Sequence, residues 1–312
     1  MPREEERITT LSAKLSAYPS MLIKKLKIIL EMIKFEHTLF ALPFALITML
    51  LAAGGFPTLH QLVWIFIALT AARTIAMLLN RVIDAYIDAK NPRTLNRAIP
   101  KGLVSRLFAV ILAIISAGIF IFSAYKLNTL SFILSFPALA VTLAYSFLKR
   151  FTWFSHFVLG FIDAMAPAGA WIAIRGNLPV SIMILSLAVV LWVGGFDVLY
   201  SLMDLEFDKK EHLFSIPVIF GVKRGIFLSR LFHVLMVLCL IIFGLIYPMH
   251  IFYFIGVMFV VLLFIYEHSL VRPDDFLKVE KAFYETNIGV SGIMLFFSAL
   301  DIYLISVMHL KI

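Results

Sequence analysis

Charge is what this sequence has least of. Only 15% of its 312 residues are Asp, Glu, Lys or Arg, while 62% are apolar. A soluble domain carries about 25% charged and about 45–50% apolar residues, so a cytosolic globular protein is excluded. There is one cysteine, Cys239, which rules out an internal disulfide framework. Its place inside an apolar run suits a small buried hydrophobe better than a catalytic thiol. No segment forms a soluble basic face, so the net charge of +8 does not describe a nucleic-acid binder. Residues 1–20 also lack the apolar core of a cleavable signal.

What is abundant is apolar length. Windows of roughly 20 residues, enough to cross a bilayer, recur at about 35–54, 60–80, 105–125, 128–148, 152–175, 179–201, 225–247, 249–268 and 286–308. The fold expected is all-α, a polytopic membrane bundle of nine transmembrane helices. The connecting loops are too short for a second domain, so residues 35–312 read as one unit behind a tail of residues 1–34. In that tail Leu22, Leu26, Ile29 and Ile33 recur at helical spacing among Lys24, Lys25, Lys27 and Lys34, the pattern of an amphipathic helix on an anionic membrane surface. Of the 27 Lys and Arg, 22 fall on the N-terminal tail and the even-numbered loops and three on the opposite side. Cations mark the cytoplasmic side. The expected topology is therefore a multi-pass protein of the cell membrane, with its N-terminus and even-numbered loops in the cytoplasm and its C-terminus outside.

Two of those cytoplasmic segments hold most of the polar chemistry. In the first, Asn80, Asp84 and Asp88 are spaced four residues apart, which stacks them on one helical face. In the second, Asp204 and Asp208 repeat the spacing and Asp197 lies two turns earlier. Like charges at this spacing destabilise a helix by a few tenths of a kcal/mol, so two such pairs call for compensation. Divalent cations supply it, and hard carboxylate oxygens suit Mg²⁺, which completes its shell with water and substrate phosphate. Arg73, Arg93, Arg97, Lys149, Arg150 and Lys209 stand close by in sequence to neutralise phosphate oxygens. The residues thus point to a metal-bridged diphosphate at the cytoplasmic mouth of an apolar bundle.

A family resemblance rests on these same residues. Asn-x-x-x-Asp-x-x-x-Asp from Asn80 to Asp88, with Arg93-Thr94, Arg97 and Pro100-x-Gly102 after it, resembles the first signature of the UbiA superfamily of intramembrane aromatic prenyltransferases. Tyr145-Ser-Phe-Leu-Lys149-Arg150-Phe-Thr152 resembles a further block. Asp197 to Asp208 with Ser215-Ile-Pro-Val-Ile-Phe-Gly221 resembles the second acidic signature. The resemblance implies Mg²⁺-dependent transfer of a polyprenyl group from polyprenyl diphosphate to an aromatic acid in quinone biosynthesis. Asn80, Asp84, Asp88, Asp197, Asp204 and Asp208 would hold metals and diphosphate. Arg73, Arg93, Arg97, Lys149 and Lys209 would contact phosphates, and Tyr145 would lie beside the reacting carbon. Two departures stand out: Ala98-Ile99 replaces a common Pro-Leu, and Glu211-His212 occupies a spot where Gly is frequent. The segment from Glu36 to Ala45 is similar to a bacterial branch whose acceptors are 4-hydroxybenzoate or a dihydroxynaphthoate.

Two other readings stay open on sequence. A small-solute transporter would also be a basic-inside bundle, but its binding site would sit near mid-membrane, whereas these carboxylates fall at span ends. A UbiA-like enzyme prenylating another ring system is the second. Neither oligomeric state nor prenyl length is readable. Within the spans, Asp163 is expected to line the chamber or to pair with Arg73, and Asp301 to serve a structural hydrogen-bonding role, since charge at membrane depth needs a cavity or a partner.

Overall fold

The computed structural model describes residues 27–33, 38–276 and 278–309. Of the N-terminal tail, residues 27–32 are helical; the rest of the expected surface helix, and Glu36 and His37 of the branch-like segment, lie outside the described residues. Among the described residues the chain is helical with no β-strand.

The long helices are α1 (Thr38–Ala53), α2 (Leu59–Ile83), α4 (Arg106–Leu127), α5 (Thr129–Leu148), α6 (Ser155–Arg175), α7 (Val180–Tyr200), α10 (Val222–Ile246), α11 (Ile251–Leu270) and α12 (Asn287–His309). Short helices α3 (Ala85–Lys90), α8 (Leu205–Lys210) and α9 (Ile216–Phe220) lie between them. Among the described residues, eight helical segments are long and apolar enough to cross a membrane by length and composition. The remaining one, α1, has 16 residues, about 24 Å at 1.5 Å per residue, so the expected nine helices are matched by eight full-length spans and one shorter apolar helix.

Local sequence sets the boundaries. Thr58 and Gln61 form a reciprocal capping box at the start of α2, with Gln61 N donating to Thr58 Oγ1 at 3.3 Å and Thr58 N to Gln61 Oε1 at 3.1 Å. Ser105 caps α4, and Asn128 caps α5 through Ser131 N at 2.8 Å. The Asn128 amide also donates to Ile172 O at 2.7 Å and to Ala173 O at 3.1 Å, tying the start of α5 to the last turn of α6. Gly176 ends that helix at φ 69°, a left-handed position that favours glycine.

Helix α7 is the centre of the bundle. It is apolar all round, as a helix surrounded by others must be, and buries Trp192, Val193, Phe196, Val198 and Leu199. Helices α6 and α7 approach so closely that a Cβ at Gly160 would collide with the Val190 backbone. Trp192 Nε1 donates to Asn287 Oδ1 at 2.6 Å, tying α7 to α12. Before α12 the chain makes a π-helical turn, Ala282–Thr286.

At the opposite end from the acidic segments, Asp301 caps α11 from another helix. Its carboxylate accepts from His250 N at 2.7 Å, Phe252 N at 3.1 Å and Tyr253 N at 3.3 Å. Three orphan helix N–H groups therefore depend on one buried side chain, which is the structural role its position suggested. Asp301→Ala is expected to cost about 2–3 kcal/mol and to leave the turnover of the surviving folded protein unchanged. Thermal inactivation in detergent, read beside an activity assay, checks both halves.

Candidate active site

The two acidic segments are built alike, and neither is a plain helix. Helix α2 ends at Ile83, Asp84 sits at φ −88°, ψ 1°, and α3 starts at Ala85. Likewise α7 gives way to a 3₁₀ turn, Ser201–Asp204, and Asp204 at φ −103°, ψ 6° precedes α8. The first carboxylate of each pair thus occupies the sparsely populated bridge region where active-site residues are often found. Continuity survives at the first break, because Asp84 N bonds Asn80 O at 2.9 Å and Asp88 N bonds Asp84 O at 2.7 Å. Asn80, Asp84 and Asp88 therefore still face one way.

One cavity of about 160 Å³ gathers the expected side chains. Asn80, Asp84, Asp88, Arg93, Arg97, Tyr145, Lys149, Asp197, Asp204 and Asp208 all line it. They come from the ends of α2, α5 and α7, from α3 and α8, and from the loop after α3. Pockets that swallow a drug-sized ligand run to roughly 300–1,000 Å³, so this space suits a head group and not a long chain. Three helix C-termini converge here, and their partial negative charge favours cations.

Each carboxylate has its own basic partner. Asp84 pairs with Arg150 at 2.8 Å, Asp88 with Arg97 at 2.6 Å and Asp208 with Lys149 at 2.9 Å. Asp204 meets the Arg93 fork, with Nε on Oδ1 at 2.9 Å and Nη2 on Oδ2, and Asn91 adds a bond to the same Oδ1 at 2.9 Å. Arg93 also donates to Tyr200 OH at 2.7 Å and lies 4.9 Å above that ring. Asp197 accepts from His156 Nδ1 at 2.6 Å. The backbone N–H of Ile216 donates to His156 Nε2 at 3.2 Å. A neutral imidazole accepting there carries its hydrogen on Nδ1, so His156 is fixed as a donor to Asp197. Burial pushes the Asp84 carboxyl up to about 6, against the pull of the Arg150 guanidinium.

Pairing does not use every oxygen. Asp88 Oδ2 and Asp208 Oδ1 are buried with no hydrogen-bond partner. Burying such lone pairs is costly. A set of hard oxygen donors with spare lone pairs at the meeting of three helix C-termini fits a divalent cation of the Mg²⁺ type. The position also separates two of the sequence readings. These groups sit at helix ends, not at the broken mid-membrane helices of a transport site.

Two expected phosphate contacts do not line the cavity. Arg73, about two turns inward of Asn80 on α2, has Nη1 3.9 Å from Asp163 Oδ1 and does not line the cavity. Asp163 needs a partner at that depth and takes the guanidinium. Lys209 follows Asp208 on α8, so it is turned about 100° away from the cavity face; its Nζ lies 2.9 Å from the exposed Glu206 carboxylate. Two contributors were not singled out from sequence, Asn91 and His156, and Arg150 was expected only as one of the nearby phosphate-neutralising cations. Arg150 adjoins Lys149 at a helix end, yet only the fold reveals that the two serve different carboxylates. A titratable residue in the first turn of an otherwise apolar helix was the one hint of His156.

The departure at Glu211-His212 acquires a physical meaning. His212 has φ 55°, the one positive φ of a non-glycine residue among the described residues. Left-handed backbone costs an ordinary residue roughly 1–2 kcal/mol, which explains why glycine serves well at that position. Neighbouring Glu211 clasps Lys90 at 2.7 Å, joining the segment after α8 to α3 across the cavity rim.

A bundle of apolar helices with a chamber of paired acids and bases at one end defines a multi-pass membrane protein with a charged head-group site. The sequence profile described as the UbiA prenyltransferase family matches residues 41–299, and the chain belongs to that family. It is a prenyltransferase. A 4-hydroxybenzoate octaprenyltransferase of Haemophilus ducreyi is 29% identical over 269 residues, covering 85% of this chain and 97% of the relative. One from Francisella tularensis subsp. novicida is 31% identical over 227 residues, covering 73% and 80%. The apo structure of a UbiA homologue from Aeropyrum pernix K1 matches with a TM-score of 0.77 at 30% identity, over 85% of this chain and 98% of that one. A UbiA homologue from Archaeoglobus fulgidus bound to GPP and Mg²⁺ shares the fold, with a TM-score of 0.67 at 17% identity over 88% and 99%.

Proposed function

We propose that this protein transfers a polyprenyl group from polyprenyl diphosphate to the ring of an aromatic acid, with Mg²⁺, and that 4-hydroxybenzoate is the acceptor. The observation that carries the reading is the charge inventory of the cavity. Five carboxylates (Asp84, Asp88, Asp197, Asp204, Asp208) face four cations (Arg93, Arg97, Lys149, Arg150), leaving one negative charge in excess. Two divalent cations and a triply charged prenyl diphosphate bring that total to neutral. The same groups can then exchange partners, carboxylates toward metal and cations toward phosphate oxygens. The acceptor follows from the names of the relatives; the GPP and Mg²⁺ bound to the Archaeoglobus homologue support the donor and the metal.

Asn80, Asp84, Asp88, Asp197, Asp204 and Asp208 would hold the metal. Bound there, Mg²⁺ would act as a Lewis acid that offsets the charge growing on the leaving diphosphate. Arg93, Arg97, Lys149 and Arg150 draw the diphosphate head into the cavity and neutralise it as the allylic C–O bond breaks. Tyr145, which lines the cavity, would stabilise the allylic cation by roughly 0.5–2 kcal/mol, whereas the Tyr200 ring already carries Arg93. His156 keeps Asp197 oriented. The acceptor carbon ortho to the hydroxyl forms the new C–C bond, and a cavity carboxylate takes the ring proton. The apolar bundle excludes the water that would otherwise capture the cation. The prenyl chain, too long for the cavity, lies in an apolar groove between helices. We also propose that the chamber faces the cytoplasm, from the distribution of Lys and Arg, and that residues 1–34 form a tail attached to this single domain.

Membranes bearing the chain, given labelled geranyl diphosphate, 4-hydroxybenzoate and Mg²⁺, are expected to yield a lipid-soluble prenylated acid, and EDTA to abolish it. Product with dihydroxynaphthoate and none with hydroxybenzoate would reassign the acceptor. No product with either would overturn the proposal.

A further inference from the structure

Away from that chamber, α10 and α11 place three ligand-bearing side chains together inside the bundle. His233 lies midway along α10, and Glu267 and His268 occupy the last turn of α11. His233 and Glu267 are each 1% exposed, and His268 is half-buried. His233 Nδ1 is 3.0 Å from His268 Nε2 and 3.3 Å from Glu267 Oε2, and one ligand atom from each residue falls within 4.8 Å of the others. None of the three lines the diphosphate cavity.

Hydrogen bonding alone satisfies this cluster poorly. His233 Nδ1 faces both His268 Nε2 and Glu267 Oε2 and can share a hydrogen with only one of them. Glu267 Oε2 and His268 Nδ1 are buried with no hydrogen-bond partner. An ionisable group at membrane depth is costly and marks a site that must compensate it. One divalent ion between His233 Nδ1, Glu267 Oε2 and His268 Nε2 satisfies those three converging atoms together, the orphaned Glu267 oxygen among them.

We infer that His233, Glu267 and His268 form a binding site for a zinc-class transition metal that clamps α10 to α11. Two imidazoles and one carboxylate are a known zinc donor set with a fourth position left open. Donor atoms about 3.3 Å apart are what bond lengths of about 2.0–2.1 Å around a tetrahedral ion require. Imidazole nitrogens select against Mg²⁺ and Ca²⁺, which prefer all-oxygen shells. The His233 ring is held in place on one face by Phe264, stacked at 4.1 Å and 14°. Against its edge lies Gly195 of α7, where any Cβ would strike the imidazole. Gly195 is two residues before Asp197, so the clamp braces the helix that delivers the second acidic segment. The site belongs to a different metal class from the chamber, and the two can be loaded separately.

The test uses the full chain without a polyhistidine tag, in detergent, with Mg²⁺ in large excess to occupy the acidic chamber. Zinc is titrated while melting is followed, and bound metal is counted after desalting. Wild type is expected to retain about one zinc per chain and to melt roughly 5 °C higher at a hundredfold excess over Kd. His268→Ala and Glu267→Gln are expected to lose both the retained zinc and the shift. His268 sits at a helix end and is half-buried, so its variant keeps the test alive should the buried Glu267→Gln fail to fold. X-ray absorption of the loaded protein is expected to show two imidazole nitrogens. Wild type that keeps no zinc, His268→Ala that keeps as much as wild type, or an all-oxygen shell would each overturn the site.

Discussion

Asp84→Asn is expected to insert and fold as the wild type does and to lose prenyl transfer by roughly 10²–10³-fold, about 3–4 kcal/mol of barrier. The substitution is close to isosteric. The amide oxygen still accepts from Arg150, whose Nη2 also holds Ile83 O at 2.9 Å, so the junction of α2 and α3 keeps its backbone clasp. What goes is one of five negative charges in a cavity whose balance with a metal-bound diphosphate depends on all five. Asp204→Asn is expected to behave alike, since Asp204 occupies the equivalent break between α7 and α8. The measurement is turnover of labelled geranyl diphosphate by purified protein, beside a melting curve that establishes the fold. Near wild-type turnover in a well-folded Asp84→Asn would sink the metal assignment for the first acidic segment. The same result in Asp204→Asn would sink it for the second.

Much of this arrangement was legible in the sequence because the signals are periodic or chemically loud. The spans follow from apolar length, and Asn80, Asp84 and Asp88 share a face because residues four apart do so in any helix. Arg73 and Lys209 stand off the cavity lining for different reasons. Arg73 sits near the acidic segment in sequence, but Asp163 on α6 lies beside it, the pairing that the need of a charge at membrane depth for a partner had offered as one alternative. Lys209 adjoins a cavity residue, and adjacency on a helix means facing elsewhere. The breaks at Asp84 and Asp204 were hidden because neither carries Gly or Pro as punctuation. Tertiary contacts impose them: Arg150 pulls on Asp84, and Arg93 with Asn91 pulls on Asp204. The cluster of His233, Glu267 and His268 carried no such signal in the sequence. Its members are on two helices, and only the packing of α10 against α11 brings 233 beside 268.

Arg93 is where fold and chemistry compete most directly, and its two variants are expected to part company. Arg93→Ala leaves Asp204, 7% exposed, with Asn91 as its remaining side-chain donor. Stripping the partner from a buried carboxylate costs about 3–5 kcal/mol, so this variant is expected to be visibly unstable, and its low activity would say little about chemistry. Arg93→Lys restores a charge on a flexible stem. An ammonium cannot reproduce the two-pronged grip on Asp204 while also donating to Tyr200, nor lie flat over the Tyr200 ring. Charged hydrogen bonds of this kind are worth about 1.5–3 kcal/mol, which translates to a loss of roughly 10–150-fold in kcat/KM. The melting temperature should stay near wild type, because the buried carboxylate still has a counter-charge. The loss should appear in kcat as well as in the KM for the prenyl diphosphate, since Arg93 both orients Asp204 and faces the leaving group. Arg93→Lys with wild-type kcat and only a raised KM would reduce the residue to a phosphate contact. Wild-type values for both constants would remove Arg93 from the site altogether.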